Sequence, residues 1–292
     1  MPVRVHVPSR IDFAGGWTDV PDFSGDEGGA VLNAAIDRAV EGEAAWDDSG
    51  FRLSCRLDVE PDSHLGTSSA SNLAYVELID GLTKRQRTPA ERAELAWRLE
   101  QLLGEKSGKQ DHYAAALGGI NLLRFGGADA AAEVEPVVPG DEQVAALEAR
   151  LLLCHSGKSP DSGAQHATVW ERFRDGDRAI REGLRAIRDT VVPARDALAA
   201  GEWEALGALL TRNRELARGL GGGAVTERMD RLFSAGEGAD ALGAKPCGAG
   251  GGGYLLFLVA PARRDAVARA LEGAGGRTAA VRIAARRDGS SL

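Results

Sequence analysis

The chain has 292 residues, 43% of them apolar and 27% charged, and is long enough for two modest domains that share a cleft. Its net charge of -8, with no Lys/Arg-rich stretch interleaved with aromatic residues, argues against nucleic acid as a partner and requires a local basic pocket for an anionic substrate. Three widely spaced cysteines, no signal-peptide pattern and no apolar run of membrane-spanning length predict a cytoplasmic protein with reduced thiols and no membrane partner.

The first predicted element is a strand at residues 3–7, where valines alternate with polar residues until Pro8. A turn follows at Gly15-Gly16-Trp17-Thr18-Asp19, in which a glycine pair precedes an aromatic residue, a hydroxyl and a carboxylate. Such a turn presents polar side chains for binding, and an ordinary surface turn with Asp19 as a cap is the alternative. The next predicted elements are a short helix or buried segment at 30–39 and strands at 40–46 and 51–59.

The stretch Leu65-Gly66-Thr67-Ser68-Ser69 places one glycine and three consecutive hydroxyl residues just before an amphipathic segment. Apolar residues recur there at helical spacing, so the hydroxyl residues stand at a helix N-terminus. Backbone N–H groups at that end lack intrahelical partners and, with the helix dipole, favour a phosphate group. An ordinary Ser/Thr cap is the alternative explanation of the same pattern.

A second helix is predicted to begin with the capping sequence Thr88-Pro89-Ala90-Glu91 and to end at Gly104. The buried face of this helix is predicted to be Leu95, Leu99, Leu102 and Leu103. Glu100 is expected to lie outside that face. A helix at 111–117 and a strand at 120–125 follow. A change in composition at 126–149 predicts a linker, and a boundary near 145 divides the chain into domains 1–145 and 146–292.

The second domain is predicted to be a sheet backed by helices, an α+β arrangement. Its predicted elements are a strand at 151–154, helices over 161–219 with breaks near Pro193 and Gly201, a helix at 225–236, a strand at 254–259, a helix at 262–273 and a strand at 277–283. The glycine run at 248–253 has the spacing of a dinucleotide fingerprint but opens a strand, which excludes that interpretation. It predicts instead a loop whose backbone closely approaches a ligand or another loop, and a flexible connection is the alternative.

Three segments, in this order, resemble the motifs of the GHMP kinases. Residues 8–19 are similar to the sugar kinases' substrate motif, 65–70 to the phosphate loop and 245–254 to the C-terminal glycine motif. The Gly-Gly-Trp turn resembles fucokinases, and residues 108–116 resemble bacterial heptose-7-phosphate kinases. His64 replaces the usual glycine of the loop, although histidine tolerates a left-handed backbone. The resemblance implies an α+β, two-domain GHMP kinase fold with an N-terminal domain like ribosomal protein S5 and a C-terminal ferredoxin-like domain.

The resemblance also implies catalytic roles. Asp111 would accept the proton of the attacking hydroxyl or orient it toward the γ-phosphate of ATP, and Arg10 would stabilise the transferring phosphate. Lys109 would screen that phosphate or bind one already on the substrate; a free surface lysine is the alternative. Ser68 and Glu100 would hold Mg²⁺, Glu100 at the family's spacing before Asp111. A solvated helix carboxylate is the alternative for Glu100.

The remaining motif residues are implied to bind the two substrates, and Ser156-Gly157-Lys158-Ser159 could reach the sugar or its distal phosphate. The residues assigned to ATP are Leu65, Gly66, Thr67, Ser68, Ser69, Gly248, Gly250 and Gly251. Those assigned to the sugar are Gly15, Gly16, Trp17, Thr18 and Asp19. The histidines at 112, 155 and 166 lack metal-ligand spacing and are taken as ordinary polar residues.

The implied activity is ATP-dependent phosphorylation of a sugar phosphate, such as a heptose 7-phosphate, at its anomeric hydroxyl, in a monomer or homodimer. Three alternatives stay open. They are a fucokinase-like enzyme acting on a free hexose, a non-catalytic protein that binds ATP and sugar, and an isoprenoid or amino-acid kinase of the same fold.

Overall fold

Two antiparallel sheets with helices packed on them make up the computed structural model, which describes residues 2–48, 50–58, 63–104, 107–157 and 162–287. The contacts predicted for Lys158 and Ser159, and the side chain of His166, lie outside the described residues. Within these ranges no helix combines the length and apolar character needed to cross a membrane. The mixture of helices and antiparallel sheets confirms the predicted α+β class.

The first sheet has the hydrogen-bonded order β1-β2-β4-β5, with β3 paired to the second half of β2. Its strands are β1 (Val3–Ala14), β2 (Gly29–Asp47), β3 (Gly50–Leu57), β4 (Ile120–Phe125) and β5 (Glu133–Val137). The predicted end of the first strand is wrong. β1 continues past Pro8, because a register shift between Pro8 and Ser9 accommodates a residue that cannot donate a hydrogen bond. For residues 30–39 the sequence left open a short helix or a buried segment, and the segment is part of strand β2, with residues 31–36 buried. A short buried apolar run does not reveal by its pattern whether it is helix or strand.

The helices of this half are α1 (Pro21–Glu27), α2 (Thr67–Thr83), α3 (Pro89–Leu102) and α4 (Gln110–Leu117). Helices α2 and α4 lie on β1 and β2, and α3 packs on α2 and α4.

The capping box at Thr88 and Glu91, at the start of α3, is present as predicted. The predicted leucine stripe of α3 is wrong, since Leu102 and Leu103 are 85% and 69% exposed. The buried side of α3 is Ala93, Ala96, Trp97 and Glu100. Ala93 and Ala96 are the small residues of this buried side, whereas the leucines at and just after the end of α3 are exposed.

The second sheet has the order β7-β8-β6-β9. Its strands are β6 (Leu151–His155), β7 (Ala241–Pro246), β8 (Tyr254–Val259) and β9 (Arg277–Ala280). Its helices are α5 (Asp141–Glu148), α6 (Ser162–Arg174), α7 (Arg178–Asp189), α8 (Val191–Ala200), α9 (Trp203–Leu220), α10 (Glu227–Gly238) and α11 (Arg264–Gly273). Strand β7 was not predicted. Residues 126–149 are not merely a linker, because they contain β5 and α5. The boundary near 145 falls inside α5 and stays a prediction.

The two sheets share one hydrophobic core, which fixes the loops of one half against those of the other. Ile11 and Phe13 of β1 pack in the same cluster as Leu153 of β6 and Leu256 of β8. After β9 the chain returns to the first sheet, where Ile283 bridges to Ile36. The cleft described below therefore has walls from both halves of a single packed body.

Candidate active site

A cavity of about 590 Å³, here called the cleft, is lined by residues from both halves of the chain. Its lining includes Arg10, Trp17, Asp19, Gln110, Asp111, Trp170, Glu171, Arg174 and Gly248. This volume is within the range of small-molecule sites in proteins. The cleft brings together residues of the first and third sequence motifs and the segment that contains Asp111.

The loop before α2 has the backbone geometry of an anion site. Gly66 adopts a left-handed conformation with φ of 73°, and α2 begins at the next residue. No side chain in the described residues caps this helix end, and the N–H of Ala70 is bonded to the carbonyl of Gly66 at 2.9 Å. The three preceding N–H groups thus have no intrahelical acceptor, which suits a phosphate group. His64 is also left-handed, with φ of 58°. The side chain of Leu65 is fully buried in the core, so only its backbone belongs to this loop.

Arg10 and Asp111 form a two-point ion pair at the edge of this loop. Nε of Arg10 donates to Oδ1 of Asp111 at 2.6 Å, and Nη2 donates to Oδ2 at 2.8 Å. Burial acts to lower the pKa of Arg10, but the charges of Asp111 and Asp12 outweigh it and raise that pKa. A Cβ atom on Gly66 would lie 3.0 Å from Oδ2 of Asp111, so the loop touches the carboxylate. The predicted partners of one catalytic centre are therefore adjacent.

The C-terminal glycine loop joins the same centre through Gly248. Its N–H donates to Oδ1 of Asp12 at 2.8 Å, and a Cβ atom there would lie 3.0 Å from Nη2 of Arg10. The buried ammonium of Lys245 donates to Oδ2 of Asp12 at 2.5 Å and ties the loop to β1. Gly250 and Gly251, expected to contact ATP, are instead buried against the backbone of residue 224. A Cβ atom on Gly250 would lie 2.1 Å from the oxygen of Ala224, and the N–H of Gly251 donates to that oxygen at 3.1 Å, so both residues pack on the chain and neither lines the cleft.

Glu100 lies beside the phosphate loop and is hydrogen-bonded to Ser69, the residue after the predicted Ser68. Oγ of Ser69 donates to Oε2 of Glu100 at 3.1 Å, whereas Ser68 is exposed. The Nε2 atom of His112 lies 2.5 Å from the same carboxylate oxygen. Burial acts to raise the pKa of Glu100, but the hydrogen bond and charge of His112, with Ser69, outweigh it and lower that pKa. The sequence analysis took His112 as an ordinary polar residue, because no spacing pattern marks its pairing with Glu100 across two helices.

This corner offers the oxygen donors that Mg²⁺ prefers, a carboxylate and a hydroxyl next to a phosphate loop. No group of three or more His, Cys, Asp or Glu side chains in the described ranges could hold a metal ion. An ion held by Glu100 and Ser69 would therefore take its other ligands from phosphate oxygens and water. The residues fit a metal that arrives with the nucleotide.

The glycine turn supplies one wall of the cleft, but only part of it faces the cavity. Trp17 and Asp19 line the cleft, and Trp17 has the left-handed φ of 85°. The hydroxyl of Thr18 is buried and donates to the carbonyl oxygens of Gly15 and Ala30. A Cβ atom on Gly15 would lie 2.1 Å from the Ala30 oxygen. Thr18 and Gly15 therefore build the turn and do not contact a ligand with their side chains.

Gly16, also assigned to the sugar, lies behind the cleft. A Cβ atom there would be 2.7 Å from Oδ2 of Asp12, so a larger residue would disturb the Asp12–Lys245 pair. Asp19 accepts a hydrogen bond from the N–H of Gln110 at 3.0 Å and lies in contact range of Gly108. Burial, together with the negative charge of Asp111, raises the pKa of Asp19 to about 6. The ionised form of this carboxylate is therefore disfavoured in the folded protein and lowers its stability.

Lys109 does not face the cleft, which corrects its predicted role. Its side chain is 1% exposed, and Nζ donates to both carboxylate oxygens of Glu94 at 2.9 Å and to the carbonyls of Ala128 and Ala130. The ammonium also lies 4.5 Å from the ring centre of Trp97. Neither the predicted phosphate contact nor the alternative of a free surface lysine is compatible with this environment.

The wall opposite the glycine turn was missed by the sequence analysis. Trp170, Glu171 and Arg174 of α6 line the cleft, and the rings of Trp170 and Trp17 lie 6.1 Å apart. No motif marks this helix, because its residues acquire a role only through packing against a turn about 150 residues earlier in the chain. Gln110 was passed over as a connector, although its Nε2 reaches toward Asp19 at 3.4 Å.

Phosphoryl transfer asks a protein mainly to position the nucleotide and acceptor and to stabilise charge. The site has three features that suit phosphoryl transfer. They are the uncapped N-terminus of α2, the Arg10 guanidinium held by the Asp111 carboxylate, and the glycine loop that approaches Arg10 at Gly248. Family models agree: residues 30–119 match the GHMP kinases N terminal domain and residues 194–277 match GHMP kinases C terminal. The chain belongs to the GHMP kinase family, as its three motifs predicted.

Several characterised proteins are similar to this chain. The bifunctional fucokinase/GDP-fucose pyrophosphorylase of Arabidopsis thaliana is 24% identical over 89% of this chain, which spans only 30% of that protein. The mevalonate kinase of Thermococcus sibiricus is 28% identical over 80% of this chain and 67% of its own length. The D-glycero-alpha-D-manno-heptose 7-phosphate kinase of Campylobacter jejuni is 23% identical over 92% and 93%.

The fold of a solved kinase structure matches almost the whole chain. The D-glycero-D-manno-heptose 1-phosphate kinase from Bacteroides thetaiotaomicron superposes with a TM-score of 0.78 at 22% identity, covering 98% of this chain and 97% of its own. This similarity establishes the two-domain GHMP kinase fold that the motifs implied.

Proposed function

We propose that this protein transfers the γ-phosphoryl group of ATP to a hydroxyl group of a sugar phosphate. Our first choice is the anomeric hydroxyl of a heptose 7-phosphate or a related longer sugar phosphate. The observation that carries the proposal is the Arg10–Asp111 pair, which touches the phosphate loop at Gly66 and the glycine loop at Gly248. A reacting hydroxyl and a terminal phosphate can meet at this point of the cleft.

In this mechanism Asp111 orients the attacking hydroxyl and accepts its proton as the hydroxyl oxygen bonds to the γ-phosphorus atom. The bond between that phosphorus and the β,γ-bridging oxygen breaks, and ADP leaves. Arg10 holds the carboxylate in place and offers positive charge to the transferring phosphoryl group. The free N–H groups at the start of α2 bind the β- and γ-phosphates. Glu100 and Ser69 would hold Mg²⁺, which neutralises phosphate charge when it is bound.

A polyhydroxylated acceptor is supported by the polar groups around the reacting point. Asp19, Gln110 and Glu171 line the cleft with hydrogen-bonding groups. Oε1 of Gln110 is buried and has no hydrogen-bond partner in the described residues, so it is available to a ligand hydroxyl. These groups suit a sugar better than an isoprenoid acid such as mevalonate, despite the similarity to mevalonate kinases. The heptose 7-phosphate kinase relative, aligned over nearly its whole length, supports a phosphorylated heptose.

A fucokinase-like activity on a free hexose is the second candidate. The observation that favours it is Trp17, which lines the cleft within the turn that resembles fucokinases, together with the fucokinase similarity. A non-catalytic ATP- and sugar-binding regulator is less well supported, because Asp111, Glu100 and Arg10 are all in place.

The test is turnover with ATP and Mg²⁺ over a panel of heptose 7-phosphates, longer sugar phosphates, fucose, mannose, galactose and mevalonate. We expect turnover of a phosphorylated sugar by the wild type and its loss in Asp111→Asn. Turnover of a free hexose alone would favour the second candidate. ATP binding without turnover of any acceptor would overturn the kinase proposal.

A further inference from the structure

We infer that Arg174 binds the phosphate group that the substrate already carries, and thereby selects phosphorylated over unphosphorylated sugars. The inference rests on the proposed function, since it assigns a substrate group to the same cleft. It also supplies the cation that Lys109 cannot provide. The chain has a net charge of -8, so an anionic substrate depends on a local positive side chain.

Two cationic side chains line the cleft within the described residues, Arg10 and Arg174. Arg10 uses Nε and Nη2 on Asp111 and Nη1 on the carbonyl of His64 at 2.8 Å. Three of its five N–H groups, one on each nitrogen, are thus committed at the catalytic point. Arg174 has one hydrogen bond in the described part of the chain, from Nη1 to Oδ2 of Asp22 at 2.8 Å. Its side chain is 45% exposed, so the rest of the guanidinium is accessible to a ligand.

The position of Arg174 suits the far end of a sugar. It lies four residues after Trp170 on α6, so the two side chains share one helix face. Trp170 contacts Trp17, which lies two residues before Asp19. Asp19 in turn accepts a hydrogen bond from the N–H of Gln110, the residue before Asp111. The contacts thus lead from the reacting carboxylate along an aromatic wall to Arg174. A sugar lying on this wall would place its reacting hydroxyl and its distal phosphate at different ends.

The chemistry of a guanidinium matches that role. Its planar donors can bind two phosphate oxygens at once, and a bond between ionised groups is stronger than one between neutral groups. Asp22, on α1, holds one edge of the guanidinium and so limits its rotation. Glu171, three residues earlier on α6, also lines the cleft, and its carboxylate repels a phosphate and can accept bonds from hydroxyls. The phosphate is therefore directed to Arg174 and the hydroxyls to Glu171.

The test compares a heptose 7-phosphate with the same heptose lacking the phosphate. Arg174→Met removes the charge but keeps most of the side-chain length, and Arg174→Lys keeps the charge without the two-point geometry. Arg185→Met is the matched control, because Arg185 is also 45% exposed and paired with a carboxylate, that of Glu27, but does not line the cleft. Kinetics are paired with dissociation constants from tryptophan fluorescence, which do not depend on turnover.

We expect Arg174→Met to weaken binding of the 7-phosphate by roughly 10- to 100-fold, mainly through KM. The unphosphorylated heptose should be affected less than twofold, Arg174→Lys should lie between, and Arg185→Met should match the wild type. An equal loss on both sugars, or no loss on the 7-phosphate, would overturn the inference. Arg174-dependent binding of the 7-phosphate without turnover would support the inference and overturn the kinase proposal. Turnover of the 7-phosphate independent of Arg174 would do the reverse.

Discussion

Two ion pairs lie at the start of α4, formed by residues only two positions apart in the sequence, and they have different environments. Asp111 pairs with Arg10 at the cleft, and its side chain is 20% exposed. Lys109 pairs with Glu94 behind the helix, where the two side chains are 1% and 14% exposed. A helix turns by about 100° per residue, so residues two apart point to nearly opposite sides.

The two ion pairs differ in what they contact, although both involve the same short segment. The Lys109 pair, with two backbone carbonyls and the Trp97 ring, anchors the helix start to α3 and the 128–130 loop. The Arg10 pair is placed on the opposite side, within reach of the phosphate loop and of solvent. Nearness in sequence to Asp111 therefore does not place a charged residue at the cleft; the side of the helix on which it lies does.

The largest expected effect is on catalysis, from Asp111→Asn. Because an amide cannot accept the hydroxyl proton or balance Arg10, we expect kcat to fall by about 100- to 10,000-fold. The dissociation constant for ATP should change little, since backbone N–H groups hold the phosphates. Rapid-quench kinetics and a nucleotide-binding titration measure the two quantities. A fall in kcat below tenfold would show that Asp111 is not the catalytic group.

Lys109→Met should show the opposite pattern. Removing the cation leaves the Glu94 carboxylate without its ion-pair partner in a nearly buried position, and we expect a loss of about 3 kcal/mol in the free energy of unfolding. The kcat per folded molecule should stay within a few-fold of the wild type. Urea unfolding and active-site titration provide these values.

The double variant Lys109→Met/Glu94→Gln is the control for that change. Removing both charges together should restore part of the lost stability, because no unpaired carboxylate remains. If Lys109→Met instead lowered kcat strongly at unchanged stability, the separation of the two ion pairs by function would be wrong.

Asp19→Asn should stabilise the protein in a pH-dependent way. The pKa of Asp19 is raised to about 6 from 3.8, which means that the folded state favours the protonated acid. The contribution of protonated Asp19 to the stability of the wild type is therefore fully present below pH 4 and is lost as the pH rises through 6. At pH 8 the ionised carboxylate destabilises the fold by about 3 kcal/mol, which asparagine would relieve. Urea unfolding at pH 5 and pH 8 should show the larger gain at pH 8, with weaker sugar binding. An equal gain at both pH values would contradict the assignment.

The smallest expected effect distinguishes Ser69 from Ser68. Since Ser69 bonds to Glu100 and Ser68 is exposed, Ser69→Ala should raise the Mg²⁺ concentration for half-maximal activity several-fold, whereas Ser68→Ala should not. Mn²⁺ binding followed by electron paramagnetic resonance, in the presence of nucleotide, gives a readout apart from turnover. Equal effects of the two changes would remove the basis for preferring Ser69.

The motifs made much of the catalytic point predictable. A glycine followed by hydroxyl residues before a helical period identifies an exposed helix end, because the backbone itself supplies the N–H groups. The capping box at Thr88 is equally local and was predicted correctly. Patterns of this kind depend only on residues close together in the sequence, so they can be interpreted without knowledge of the fold.

Long-range packing decided the rest. The predicted leucine stripe of α3 was wrong because burial depends on where α2 and α4 lie, and Glu100 is buried by the same packing. The role of Lys109 depended on Glu94 and two carbonyls that no spacing rule connects to it. Ser69 rather than Ser68 faces Glu100 because of the rotation of α2.

The sequence by itself determined the family and the order of the motifs, and it predicted that Arg10 and Asp111 act in one site, since these are properties of short segments and their backbone. Only the tertiary structure decided the wall of the cleft, where Trp170 of α6 meets Trp17 of the glycine turn from about 150 residues earlier. The physical reason is that this wall is built from surfaces brought together by the shared core. No local pattern records which surfaces those are.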